Sequence, residues 1–234
     1  MRQEQALSVS AGDGSHGRGQ QAVTLRQAGY GDIRQLAGVL AAAFHDDPVF
    51  VWLLPGQAQR PARLRRFFAL EMRAAGLARG TVQTTTNLAG AAISLPPGQW
   101  HQPWPAQLRH GPGYLRSFGA RLPRAAWLLS RAESRHPQQP HHYFPFIGVA
   151  PDQQGQGIGS VLMGPTLARC DQAGLPAYLE ASSERNAALY HRLGFELTGE
   201  LHYGGSQPLR LMLRPPARSP GQARTSHQAP HDRY

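Results

Sequence analysis

An α/β fold is predicted by three features of the chain. Short apolar, strand-like runs alternate with segments of helical period from residue 22 to residue 214, the order expected of strands and helices layered around one core. The run 142–150 passes through Gln154-Gly155-Gln156-Gly157-Ile158-Gly159 directly into a helical stretch, so a glycine turn joins a strand to a helix. A second strand and helix follow at 177–182 and 186–193, the helix closed by Gly194.

The elements follow in order. Residues 23–26 read as the first strand, and Asp32 is placed to cap a helix whose apolar residues Ile33, Leu36, Val39, Leu40 and Phe44 recur at helical spacing. Asp46-Asp47-Pro48 breaks that helix before a short apolar turn holding Phe50, Trp52 and Leu53. Residues 59–78 form an arginine-rich amphipathic helix that turns Leu64, Phe67, Phe68 and Met72 inward. Strands at 81–86 and 91–95 pair as a hairpin around Asn87-Leu88-Ala89-Gly90. Residues 98–138 are a proline-punctuated insertion with helical pieces at 105–118 and 121–135, carrying Trp100, Trp104, Tyr114, Phe118 and Trp127. Beyond it come strand 142–150, helix 157–172, strand 177–182, helix 186–193 and closing strands near 195–203 and 208–214. On the first of these strands, His142, Phe144 and Phe146 are expected to share a face.

Composition sets the frame. With 234 residues and 41% hydrophobic content, the chain has length for one substantial core, expected over 22–214. Residues 1–21 and 215–234 lack apolar periodicity and read as disordered tails. No secretory apolar segment and no long charge-free apolar run is found, so neither export nor a membrane is expected. Cys170 is the single cysteine, which rules out an intramolecular disulfide, and cytoplasmic residence is expected. All 24 basic residues are arginine and the net charge is +10. These arginines are scattered and no nucleic-acid motif accompanies them, so they read as compositional bias, and nucleic acid is not expected as a partner. Without lysine the glycine loop is no P-loop, which needs that ammonium on its phosphates.

A glycine turn that leaves a strand and opens a helix aims unpaired backbone N–H groups at one point near the positive end of the helix dipole, where a pyrophosphate fits. Gly155, Gly157 and Gly159 permit torsions and close approach that a Cβ would obstruct. Val149-Ala150-Pro151, then Gln154 to Ser160, and then Asn186, Tyr190 and Gly194-Phe195 resemble the signature of the GNAT superfamily of acetyl-CoA-dependent N-acetyltransferases. Segments 159–165 (Gly-Ser-Val-Leu-Met-Gly-Pro) and 174–182 (Gly-Leu-Pro-Ala-Tyr-Leu-Glu-Ala-Ser) resemble the puromycin N-acetyltransferase type within it.

The resemblance implies a GNAT-like (acyl-CoA N-acyltransferase) fold: a central mixed, mostly antiparallel sheet flanked by helices, with the helical insertion 98–138 before the cofactor-binding strand. It implies transfer of an acetyl group from acetyl-CoA to a primary amine, expected on a small molecule, by direct attack in a ternary complex. By the same resemblance, backbone groups of Ile147 and Val149 pair with the pantetheine arm. Gln154, Gly155, Gln156, Gly157, Ile158, Gly159 and Ser160 cradle the pyrophosphate, Asn186 hydrogen-bonds the pantetheine, and Tyr190 protonates the leaving sulfur. No metal is expected.

The chemistry also asks for a base, because an alkylamine near the lysine reference of about 10.4 is almost wholly protonated at neutral pH. His141, His142, Glu180, Asp46 and Asp47 are candidates. Glu180 and His142 are carried forward, Glu180 as a carboxylate beside the cleft and His142 as an imidazole on the cofactor strand. Asp47 and Trp52 are the candidate acceptor-binding residues, a carboxylate and a ring suited to a cationic amine on an apolar body. Three other readings stay open: acetylation of a peptide or protein amine, a non-catalytic acetyl-CoA sensor or interaction module, and a dinucleotide-binding unit ending in Glu180. Against the last, Ser160 stands where the third glycine is required, and too little chain follows for a second half-sheet. A monomer or a homodimer fits equally.

Overall fold

The computed structural model describes residues 23–101, 104–204 and 207–217. The tails expected at 1–21 and, from residue 218 on, at the other end lie outside them. Seven strands form one sheet: β1 (Leu25–Gln27), β2 (Thr81–Thr85), β3 (Gly90–Leu95), β4 (His142–Val149), β5 (Ala177–Ala181), β6 (Glu196–Leu201) and β7 (Leu209–Arg214). Their order is β1-β2-β3-β4-β5-β7-β6. The β4–β5 pair is parallel and the others are antiparallel, so the sheet is mixed and mostly antiparallel as expected.

One face carries α1 (Ile33–Ala43), α2 (Pro48–Leu53), α3 (Arg60–Glu71), α4 (Trp104–Phe118) and α5 (Leu122–Glu133), which share a core with Ile93, Tyr178 and Leu211 of the sheet. The other carries α6 (Ile158–Ala173) and α7 (Glu184–Arg192) over Phe144, Leu179 and Met212. Phe44, Phe50, Phe67, Phe68 and Phe146 interlock on the first face, with ring centroids between 5.1 and 6.5 Å apart. All of these contacts are edge-on or tilted, avoiding the face-to-face sandwich that the ring quadrupoles disfavour. Gly148 lets α1 close on β4: a Cβ there would lie 2.7 Å from Leu40 Cδ2 and 3.1 Å from Ala43 Cβ.

Four local expectations change. The apolar stretch after Asp47 is the six-residue helix α2 and not a turn, because Asp47 Oδ1 accepts from the Val49 and Phe50 amides at 3.0 and 3.3 Å and Pro48 occupies the first helical position. The helix expected over 59–78 winds as α3 and then as a π-helical turn, Met72–Leu77. His142, Phe144 and Phe146 do not share a face. A register shift opposite Ile93 and Leu95 puts an extra residue into β4, at the point where Pro145 has no N–H to contribute. Phe144 then packs with α6 and Phe146 with α1 and α3.

The fourth change concerns Asp32, which precedes α1 without capping it. Its carboxylate grips the Arg26 guanidinium at 2.7 and 2.8 Å and the Gly29 amide at 2.8 Å. The Arg26 hydrogen bonds, then the Gly29 amide, lower its pKa from 3.8 to about 2. The stabilisation is therefore fully present above about pH 4 and is lost as pH falls toward 2. Asp32→Asn is expected to cost about 1 kcal/mol at neutral pH, since the pair is partly exposed, and to flatten that acid dependence in urea titrations.

Candidate active site

β4 and β5 pair only at His142 with Ala177 and Tyr143 with Tyr178. Beyond Tyr143 the two strands part, and residues 144–149 of β4 have no partner on β5. The Ala150 amide donates to the Ala89 carbonyl at 2.8 Å, which sets the alternation along the β3–β4 ladder. The backbone groups of Gly148 and Phe146 point to β3, whereas those of Ile147 and Val149 point into the gap that β5 has left. Ile147 and Val149 thus offer backbone donors and acceptors along the unpaired part of β4.

The glycine loop closes the upper end of that gap. Gly155 and Gly157 take φ of +81° and +78°, and nothing lies within 4 Å of a Cβ built at either. Glycine is needed here for its left-handed backbone and not for space. Gln154 Nε2 donates to the Val149 carbonyl at 3.1 Å and ties the loop to the strand end. The first helical bond of α6 runs from the Val161 amide to the Gly157 carbonyl, which leaves the N–H groups of Ile158, Gly159 and Ser160 without helical acceptors. At Gly159 a Cβ would meet Leu189 Cδ2 of α7 at 3.6 Å, so α6 and α7 converge beside the loop.

Asn186 and Tyr190 lie one turn apart on α7. The cap of that helix is Ser183, whose Oγ accepts from the Asn186 amide, so the Asn186 side chain is not spent on capping. Its Nδ2 reaches Ser182 Oγ at 3.5 Å, and the Ser182 hydroxyl donates to Asp47 Oδ2. Burial raises the Asp47 pKa, opposed by this hydroxyl and by the two α2 amides. Tyr190 is 7% exposed and packs on Phe195. Burial, and then the Asp47 carboxylate, push its phenol pKa well up, so it remains a proton donor across the neutral range.

Glu180 follows the last β4–β5 pair by two residues and faces the helices α1 to α5, as Ser182 does. Tyr143 donates to Glu180 Oε2 at 2.9 Å, and His136 Nε2 stands 3.5 Å from Oε1. His142 is placed elsewhere. It opens β4 beside Arg169 of α6, Arg79 and Thr81, five and seven residues before Ile147 and Val149, or about 17 and 23 Å along the strand. Burial and then Arg169 lower its pKa. Hydrogen bonds thus link Asp47 through Ser182 to Asn186, with Tyr190 one turn further on α7 and Glu180 two residues before Ser182, while Val149 and the glycine loop lie beside α7 and His142 lies apart at the start of β4.

Trp52 packs edge-on to Tyr203 with centroids 5.0 Å apart, and Trp127 of α5 lies 6.4 Å away. Arg124, also of α5, places its guanidinium 3.5 Å from the Trp52 ring centroid. The insertion thus reaches the Trp52 side of the site. Burial and then Asp47 raise the Tyr203 pKa to about 12, which places Tyr203 near the same carboxylate.

A family model described as the acetyltransferase (GNAT) family matches residues 95–195. An uncharacterized N-acetyltransferase of Schizosaccharomyces pombe, C550.08, is 30% identical over 203 residues, spanning 79% of this chain and 80% of that protein. The chain belongs to the GNAT acetyltransferase family. Among solved structures, one described as histone acetyltransferase HPA2 and related acetyltransferase, from Corynebacterium glutamicum, is 27% identical with a TM-score of 0.66, covering 84% of this chain and 97% of that one. The Drosophila melanogaster polyamine N-acetyltransferase, at 18% identity and a TM-score of 0.54 over 82% and 99% of the two chains, shares the fold.

This GNAT acetyltransferase holds functional candidates that the sequence alone did not single out. Ser182 joins Asp47 to Asn186, Tyr203 lines the Trp52 side, and His136 meets Glu180. Ser182 closes the segment 174–182, but its contact with Asp47, like those of Tyr203 and His136, joins distant parts of the chain that no motif connects. Among the described residues no group of three or more histidine, cysteine or acidic side chains is arranged to hold a metal, and no helix is long and apolar enough to cross a membrane.

Proposed function

We propose that this GNAT acetyltransferase uses acetyl-CoA to acetylate a primary amine on a small cationic molecule, by direct attack in a ternary complex. The supporting observation is the parted β4–β5 edge, with Ile147 and Val149 turned into the gap and free amides heading α6. Acetyl-CoA supplies the thioester. The backbone of Ile147 and Val149 pairs with the pantetheine, the amides of Ile158, Gly159 and Ser160 hold the pyrophosphate, and Asn186 orients the pantetheine arm. Tyr190 donates its proton to the leaving sulfur, and Glu180 receives the proton of the acceptor ammonium.

Asp47 faces the acceptor, held by Ser182 and the head of α2 so that its carboxylate meets an incoming ammonium. Trp52 acts here as a wall and not as a stacking platform, because the Arg124 guanidinium already covers its ring. The likeness of 159–165 and 174–182 to the puromycin N-acetyltransferase type supports an amine on a compact aromatic body.

The test is release of free CoA from acetyl-CoA across an amine panel that spans cationic aromatic amines, polyamines, acidic amines and peptides. Cationic aromatic amines are expected to be the best acceptors. Asp47→Asn and Trp52→Ala are expected to raise their KM about tenfold with acetyl-CoA binding unchanged. Best turnover with acidic amines, insensitive to either change, would remove Asp47 and Trp52 from the acceptor site.

A further inference from the structure

The connection between α5 and β4 sets two imidazoles in a row against Glu180, and the hydrogen bonds along the row fix where its protons sit. His141 Nδ1 is 2.8 Å from the Gln139 carbonyl oxygen, which only accepts, so this nitrogen carries a proton. Burial foremost lowers the His141 pKa, and the neutral ring then presents Nε2 as an acceptor. His136 Nδ1, at 3.2 Å from it, must donate. That leaves His136 Nε2 facing Glu180 Oε1 at 3.5 Å, with the two side chains 3% and 9% exposed. A bare Nε2 would set a lone pair against a carboxylate oxygen in a dry site, so a proton belongs between them.

Three neighbours put that proton on the ring. Tyr143 donates to Glu180 Oε2, which favours the carboxylate form. The Trp100 indole stacks on His136 at 4.1 Å and 21°, an arrangement that attracts a cation. His141 accepts from the far side. The other groups that face the pair are Tyr178 of β5, which lies against His136, Glu71 at the end of α3, whose charge acts on Tyr143, and Arg135, whose charge acts on Tyr178. Burial foremost raises the pKa of both tyrosines, so neither brings a charge at neutral pH.

We infer that His136 is a positioning residue for acetyl transfer: as an imidazolium against Oε1, it holds Glu180 as the carboxylate that receives the amine proton. This rests on the proposed role of Glu180 as base. In the proton transfer the substrate N–H bond breaks and an O–H bond forms on Glu180, while His136 keeps both of its ring protons.

Nitrogen-15 NMR of the full chain with labelled histidine tests the inference without turnover. Both ring nitrogens of His136 are expected to be protonated near neutral pH, with the assignment made from the signals lost in His136→Gln. A single protonated nitrogen would overturn the inference. His136→Gln keeps a donor toward Glu180 but no charge. Its kcat is expected to fall about tenfold with the acetyl-CoA KM unchanged, and the acid limb of its kcat/KM profile to move to higher pH, since no cation then holds the carboxylate. An unmoved acid limb in the folded variant would also overturn it. Full activity in Glu180→Gln would overturn the base assignment itself. The two failures are distinguishable because the ring protons are read independently of catalysis.

Discussion

Replacing Tyr190 by Phe is expected to lower turnover about a hundredfold while acetyl-CoA binds as in the parent protein. A hundredfold corresponds to about 2.7 kcal/mol of transition-state stabilisation, the loss expected when a leaving thiolate must find its proton in water. The substitution isolates the hydroxyl. The ring, buried against Phe195, stays in place, and no hydrogen bond to the Tyr190 hydroxyl is made among the described residues, so the fold loses little. Single-turnover measurements with a good acceptor report the chemical step directly. Turnover equal to the parent, with that step rate-limiting, would reduce Tyr190 to a packing residue.

Gly157→Asp is expected to weaken CoA binding tenfold or more, read by calorimetry. Position 157 sits at φ +78° at the head of α6, a conformation that aspartate tolerates better than most side chains. The variant should therefore fold, with its carboxylate placed where the loop and helix amides converge. An anion there opposes a pyrophosphate by charge and competes for the same N–H donors. Gly157→Asn separates the two effects, because it carries a similar backbone cost without the charge and should lose far less affinity. Equal CoA affinity in Gly157→Asp and the parent would remove the loop from the cofactor site.

The order of strands and helices was legible in the sequence because each element carries its own period or boundary residue. Strand 142–150 appears as His142–Val149, and the helical piece at 121–135 as Leu122–Glu133. The misjudged places are those where one residue outweighs the pattern. Asp47 with Pro48 starts a helix too short for periodicity to reveal, and Pro145 carried the signal for the irregularity in β4. Among the candidate site residues, the glycine loop, Asn186 and Tyr190 stand out in the sequence because each lies within a contiguous motif. The Ser182–Asp47 contact joins residues 135 positions apart, and the facing of His136 and Glu180 likewise depends on how a connecting segment packs. Pairings of that kind leave no local trace.

The irregularity at Pro145 gives β4 a phase slip between two half-strands of opposite parity. Below it an odd-numbered residue, Tyr143, meets Glu180; above it an even-numbered one, Phe146, enters the phenylalanine cluster, so the odd-numbered Ile147 and Val149 carry the gap-facing amides. Strict alternation over the same number of residues would force a choice. Either Tyr143 turns from Glu180, or Phe146 leaves the cluster and the amides of the other parity face the gap. The extra residue at Pro145 is therefore what lets Tyr143 and Phe146 reach the same side of the sheet while Ile147 and Val149 turn their backbone to the gap.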